Sequence, residues 1–154
     1  MAHFDDDIRR HFAFVVRLMN AQDLNGLTSH LAVPFIAYVL EEIVVMETWP
    51  DVVKATRLRM ENVMADPCKE AVGRIVEITH DAEDRATVLF QWDFLRDTGA
   101  VHHSDLIRYM VTRSGRPSGL TVEMVEYLWI SDRTVSDDVL DTLRRKEPAW
   151  KGIH

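Results

Sequence analysis

The hydrophobic period of this chain changes from about 3.6 to about 2 near residue 68, and that change fixes what each half can become. Downstream, "KEAVGRIVEITHD", "DRATVLFQWDFLR", "AVHHSDLIRYMVTR" and "GLTVEMVEYLWI" alternate apolar and polar residues, as half-buried strands do. The breaks between them are short and polar: Asp81-Ala82-Glu83, Asp97-Thr98-Gly99 and Ser114-Gly115-Arg116-Pro117-Ser118. Such breaks join neighbouring strands as hairpins, so an antiparallel meander is expected.

Upstream the pattern is helical. In "FDDDIRRHFAFVVRLMNAQDLNGL", Asp5 or Asp6 can cap a helix on which Ile8, Phe12, Val15 and Met19 share a face. "NAQDLNGL" breaks it and leads to a short second helix near 23–31, which Pro34 is expected to close. "PFIAYVL" and "EIVVME" read as two strands. "TWPDVVKATRLRMENVMADP" is a further helix, capped by Thr48 or Trp49, with Pro50 in its first turn and Pro67 beyond its end. Its apolar stripe is Val52, Val53, Thr56, Met60 and Val63. A last helix is expected in the tail, capped by Ser136, with Asp137 and Asp138 in its first turn and Arg144-Arg145-Lys146 in its last.

Helices gathered against an antiparallel sheet make an α+β domain. The chain is read as one domain over 1–154, with a core at about 4–130 and a helical tail at 131–154. A sheet curved around the N-terminal helix and two further helices leaves a concave, mostly apolar cavity between the layers. Asp plus Glu exceed Lys plus Arg by 25 to 18, a net charge of −7, and the short basic runs lie beside acidic residues. That balance argues against nucleic acid and anionic membranes as partners. The lone Cys68 excludes an internal disulfide and a cysteine zinc cluster. Without a secretory pattern or a membrane-length apolar run, the chain reads as cytoplasmic.

The most reactive-looking stretch is "TGAVHHSDLIRYMV", 98–111. Strand alternation splits it into two faces. His103 and Asp105 fall with Val101, Ile107, Tyr109 and Val111 on the more apolar, inner face. His102, Ser104, Leu106 and Arg108 fall on the other. A two-residue Thr98-Gly99 turn sets Phe94 opposite His103 and Trp92 opposite Asp105; a three-residue Asp97-Thr98-Gly99 turn slips the register by one. The first register keeps apolar residues together and is preferred. His103 and Asp105 are neighbours in either, a candidate acid–base dyad or a structural ion pair. Burial would raise the aspartate's pKa and a charged histidine would lower it. Adjacent histidines face opposite ways, so a metal site would need a third ligand such as His11 or Glu126 from another element, and none is assigned. No cofactor motif is present: "GRPSG" has no following helix and no lysine.

The order of elements resembles the nuclear transport factor 2-like superfamily, whose members include ketosteroid isomerases and SnoaL-like polyketide cyclases. Two stretches carry the resemblance, "MNAQDLNGL" at 19–27 and the closing hairpin "SDLIRYMVTRSGRPSGLTVEMVEYL" at 104–128. The resemblance implies a cone-shaped α+β barrel of the cystatin-like kind. It also implies that Asp105 matches the aspartate that ketosteroid isomerases keep protonated as a hydrogen-bond donor. The isomerase's tyrosine falls near Val15 and its base near Tyr38 or Val39, so steroid isomerisation is not carried over. What is expected is a pocket for a small, apolar, cyclic ligand. His11, Val15, Tyr38 and Trp49 are expected to line it, with Met60, Phe90, Trp92, Phe94 and Tyr109.

Two functions fit that expectation. One is isomerase-, cyclase- or dehydratase-like chemistry, with His103 as proton shuttle and Asp105 as its orienter or as a donor. The other is a non-catalytic ligand-binding or assembly subunit, like the small subunits of ring-hydroxylating dioxygenases. In both a homodimer is expected through the outer sheet face, where Met124 and Trp129 would lie.

Overall fold

The computed structural model describes residues 2–114 and 119–131. The helix expected in the tail and most of the turn before the last strand lie outside the described residues. Helix α1 runs Ala2–Ala21, α2 Leu24–Thr28 and α3 Trp49–Val63. The strands are β1 Leu31–Val39, β2 Glu42–Met46, β3 Cys68–Ala82, β4 Arg85–Arg96, β5 Val101–Arg113 and β6 Leu120–Ile130.

The helices form for the reasons their sequences give. On α1, Phe4, Ile8, Phe12, Val15 and Met19 are buried at spacings of three and four, one stripe against the sheet. The Asn20 side chain ties the end of α1 to β3, its Nδ2 donating to the Ala71 carbonyl and its Oδ1 accepting from the Ala71 N–H, both at 2.8 Å. Asp23 then caps α2, accepting from Gly26 N at 3.0 Å. Two positions of the "NAQD" stretch thus fix how the first helix meets the sheet. Thr48 caps α3 through Asp51 N, with Pro50 in the first turn.

The six strands form one sheet in the order β2-β1-β6-β5-β4-β3. It is mixed, which corrects the fully antiparallel expectation. β1 lies parallel to β6, pairing Ala37 with Val125 and Val39 with Tyr127. A parallel pair needs a long crossover, and here β2, α3 and the β3–β5 meander supply it. Pro34 does not close α2, which ends at Thr28; it stands inside β1 where the pairing to β6 is irregular and no ladder donor is needed.

Further bulges interrupt β3–β4, β4–β5 and β5–β6 and curve the sheet. Its concave face holds the core, with Phe4, Phe12, Phe90, Trp92 and Phe94 almost fully enclosed. α1 approaches β3 closely at Gly73: a Cβ there would stand 2.4 Å from the Phe90 ring and 3.0 Å from Val16.

Candidate functional site

The β4–β5 hairpin positions the candidate dyad. Arg96 N donates to Ala100 O at 2.8 Å and Gly99 N to Arg96 O at 2.9 Å, so the turn holds the three residues Asp97, Thr98 and Gly99, with Gly99 at φ 85°. Taken alone, that turn gives the slipped register. A bulge at His102 restores it, setting Phe94 opposite His103 and Trp92 opposite Asp105. The pairing expected for a two-residue turn is reached with a three-residue one. The bulge also breaks the alternation, so Val101 stands 56% exposed instead of facing inward.

Asp105 is fully buried, and its two oxygens go to different partners. Oδ2 accepts from Arg59 Nη1 of α3 at 2.7 Å. Oδ1 lies 2.7 Å from His103 Nε2. Oδ1 and Nε2 are each other's partner in this contact, although it falls short of an aligned hydrogen bond. On its other side His103 Nδ1 is 3.1 Å from Ser131 Oγ. Ser131 is itself clamped to β5: its Oγ accepts from Ser104 N at 2.8 Å and its N–H donates to Ser104 O at 2.9 Å. Ser104 Oγ donates to Asp93 at 2.6 Å, which accounts for an outward-side serine being buried. An Asp105–His103–Ser131 chain thus runs from the interior to an exposed residue at the end of β6.

The charges in this cluster are set by competition. Burial pushes the Asp105 carboxyl up, but the Arg59 charge and the His103 contact outweigh it and hold the group below the ordinary carboxylate range. These surroundings favour the carboxylate form of Asp105 over the protonated donor implied by the ketosteroid isomerase resemblance. Burial works against the Arg59 charge too, yet Tyr127, Asp105 and Tyr109 leave its pKa raised. The guanidinium lies over the rings of Tyr127, at 5.2 Å, and Phe94, at 5.7 Å. Its second terminal nitrogen, Nη2, is buried with no partner among the described residues. Burial raises the phenols of Tyr109 and Tyr127, keeping both neutral. Tyr109 Oη accepts from Trp92 Nε1 at 2.8 Å.

These groups border a cavity of about 160 Å³ whose remaining wall is mostly apolar, including Met19, Leu27, Phe35 and Val44. Val15, Trp92, His103, Asp105 and Tyr109 stand on its wall, and Arg59 and Tyr127 beside them.

Six residues expected on the wall are elsewhere. His11 packs edge-on against His30, at 4.6 Å, and Phe12, at 5.3 Å; burial lowers its pKa to about 4, and His30 takes the place on the wall. Tyr38 alternates with Ala37 and Val39, which face the cavity, so it faces outward. Trp49 opens α3 and is 43% exposed. Met60 follows Arg59 and is turned about 100° around the helix, into the core. Phe90 and Phe94 flank Trp92 in the core, Phe94 stacked on it at 5.7 Å. Glu126 pairs with Arg108 on the outer face at 2.6 Å and cannot join His103. Among the described residues no three His, Cys, Asp or Glu side chains are grouped to hold a metal, and no helix is long and apolar enough to cross a membrane.

Arg59, like His30 and Ser131, belongs to the site but is not among the residues the sequence leads one to expect. A signal for Arg59 exists, since residue 59 falls seven after Val52 and four before Val63, on the buried stripe of α3. A lone cation on an apolar stripe asks for a buried anion.

Comparison with solved structures identifies the architecture as the nuclear transport factor 2-like, cystatin-like fold. An NTF-2-like protein of unknown function from Shewanella oneidensis MR-1 superposes with a TM-score of 0.61 at 16% identity, over 80% of this chain and 97% of the other. A domain of unknown function with a cystatin-like fold from Nostoc punctiforme gives 0.64 at 11%, over 99% and 96%. A Catenulispora acidiphila protein in complex with S-DNPA gives 0.60 at 15%, over 88% and 99%. At these identities the likeness shows the fold alone. No protein-family model matches the chain, and no curated protein matches its sequence.

Proposed function

We propose that this protein binds a small, largely apolar cyclic molecule in the cavity and moves a proton on it, in isomerase-, cyclase- or dehydratase-like chemistry. One observation carries the reading: an otherwise apolar cavity ends on a buried carboxylate, imidazole and guanidinium, and the guanidinium's Nη2 has no partner among the described residues. Buried polar groups left short of partners are costly and gather at functional sites. A fold neighbour whose structure is a complex with S-DNPA supports a small-molecule ligand for this chain.

The roles differ from those the sequence suggested. Both nitrogens of His103 are engaged, so Asp105 is the base that faces the ligand, and His103 carries the proton between Asp105 and Ser131. Arg59 keeps Asp105 ionised until it accepts that proton. The protein acts in the cytoplasm as a homodimer joined through the outer sheet face.

A thermal-shift panel of single-ring ketones, phenols and carboxylic acids tests this on wild type and Asp105→Asn. A ligand at a hundred times its dissociation constant stabilises by about 2.7 kcal/mol, several degrees for a domain of this size. Ligands that bind both proteins but exchange a ring C–H for deuterium only with wild type support the reading. A cooperatively melting wild type that responds to nothing, and co-purifies with a larger chain, would replace it with the assembly-subunit reading.

A further inference from the structure

The donors and acceptors around the cavity are unequal in number, and the imbalance specifies the ligand. Arg59 Nη2 carries two N–H donors and has no partner among the described residues, while Nη1 bonds Asp105. Tyr109 Oη already accepts from Trp92, so its own hydrogen is left to donate. Tyr127 adds a second phenol hydroxyl. Both Asp105 oxygens, by contrast, are taken, Oδ2 by Arg59 Nη1 and Oδ1 by His103 Nε2. The ligand must therefore bring acceptors. A carboxylate brings two oxygens and a charge to a guanidinium, whose planar fork fits it. A ketone brings one oxygen, and an amide adds donors with nothing to receive them.

Size sets the rest of the molecule. A cavity of about 150 Å³ takes a benzene ring, and this one is about 160 Å³ with a mostly apolar wall. We propose that the ligand is a single-ring carboxylic acid, bound as its carboxylate by Arg59 Nη2 with help from the Tyr109 and Tyr127 hydroxyls. The proposal rests on the ligand-binding reading above and narrows it. Asp105 does not repel such a ligand as a bare anion would, because Arg59 and His103 already touch its two oxygens.

The test is calorimetric titration of the whole chain with benzoate and cyclohexanecarboxylate, each against its neutral amide. The acids should bind more tightly than the amides by about ten- to hundredfold, the strength of a hydrogen bond to a charged group. Replacing Arg59 alone would strand a buried carboxylate, so the variant is Arg59→Met combined with Asp105→Asn, which removes both charges. It should fold and bind acid and amide alike. Amides that bind wild type as well as the acids overturn the carboxylate proposal and leave the cavity reading standing. A preference for acids that survives in the double variant overturns the assignment to Arg59. If neither acid nor amide binds, both readings fall.

Discussion

Arg59 on α3 and Asp105 on β5 stand 46 residues apart in the chain and meet through one 2.7 Å hydrogen bond, with the Asp105 side chain 1% exposed. A buried pair of this kind adds little over an apolar replacement, but breaking it strands a charge. Arg59→Met is therefore expected to cost about 3–5 kcal/mol in urea unfolding. Asp105→Asn added to it should recover most of that loss. A double variant no more stable than Arg59→Met would show that the pair is not what the substitution breaks.

Acid should destabilise the fold in two separate windows. His11 falls from 6.5 to about 4 because it is buried, so the unfolded chain takes up its proton first. Its contribution is intact above 6.5 and drains away between 6.5 and 4, by about 3 kcal/mol. Asp105 is shifted the same way for the opposite reason, its charged form being the one favoured. Its stabilisation is full above the unfolded value of about 3.9 and is lost only as pH falls through the lower folded value. Urea midpoints at pH 7.5 and 4.5 isolate the first window. His11→Leu should flatten it and leave the second in place, and an unchanged slope would remove His11 as its source.

How much of this was legible in the sequence varied with the range of the interaction. Strand alternation read His103 and Asp105 onto one inner face without help, because the period of a strand is local. The pairing of Phe94 with His103 was read correctly, but through a turn the chain does not use; the His102 bulge that rescues it has no local signal. Val101 was misplaced for that reason. Arg59 was missed because its partner lies on another element, and the parallel β1–β6 pairing because crossovers leave no period behind. Ser131 follows the last strand and its role depends on the closed sheet. The "NAQD" stretch, read as a family resemblance, has a plain physical role in Asn20 and Asp23.

Gly73 should accept a side chain only at a cost, although it sits on a strand where most residues are at ease. Its backbone passes under the Phe90 ring, 2.4 Å from where a Cβ would be, with Val16 of α1 close on the same side. Phe90 is itself held between Phe12 and Trp92, so it cannot move aside freely. Gly73→Ala is expected to cost about 1–3 kcal/mol by overpacking. Phe90→Leu costs stability alone but should make Gly73→Ala milder when the two are combined. Additive losses in that double-variant cycle would mean the ring is not the obstacle.

The outer sheet face carries a row of apolar side chains. It crosses four strands as Val45, Ile36, Met124 and Met110, each paired with the next. Farther along β5 and β6, Leu106 pairs with Trp129, and Val45 and Trp129 are 47% and 51% exposed. The Arg108–Glu126 ion pair lies between the two ends. Contiguous apolar patches of this kind mark interfaces, and a two-fold dimer would cover the face with its own copy. Sedimentation equilibrium should therefore give a dimer for wild type. Val45→Lys combined with Trp129→Lys should give a monomer whose melting stays cooperative, since neither side chain is in the core. A wild-type monomer at micromolar concentration would leave the face to a different partner, and a dimer that survives both lysines would place the contact elsewhere.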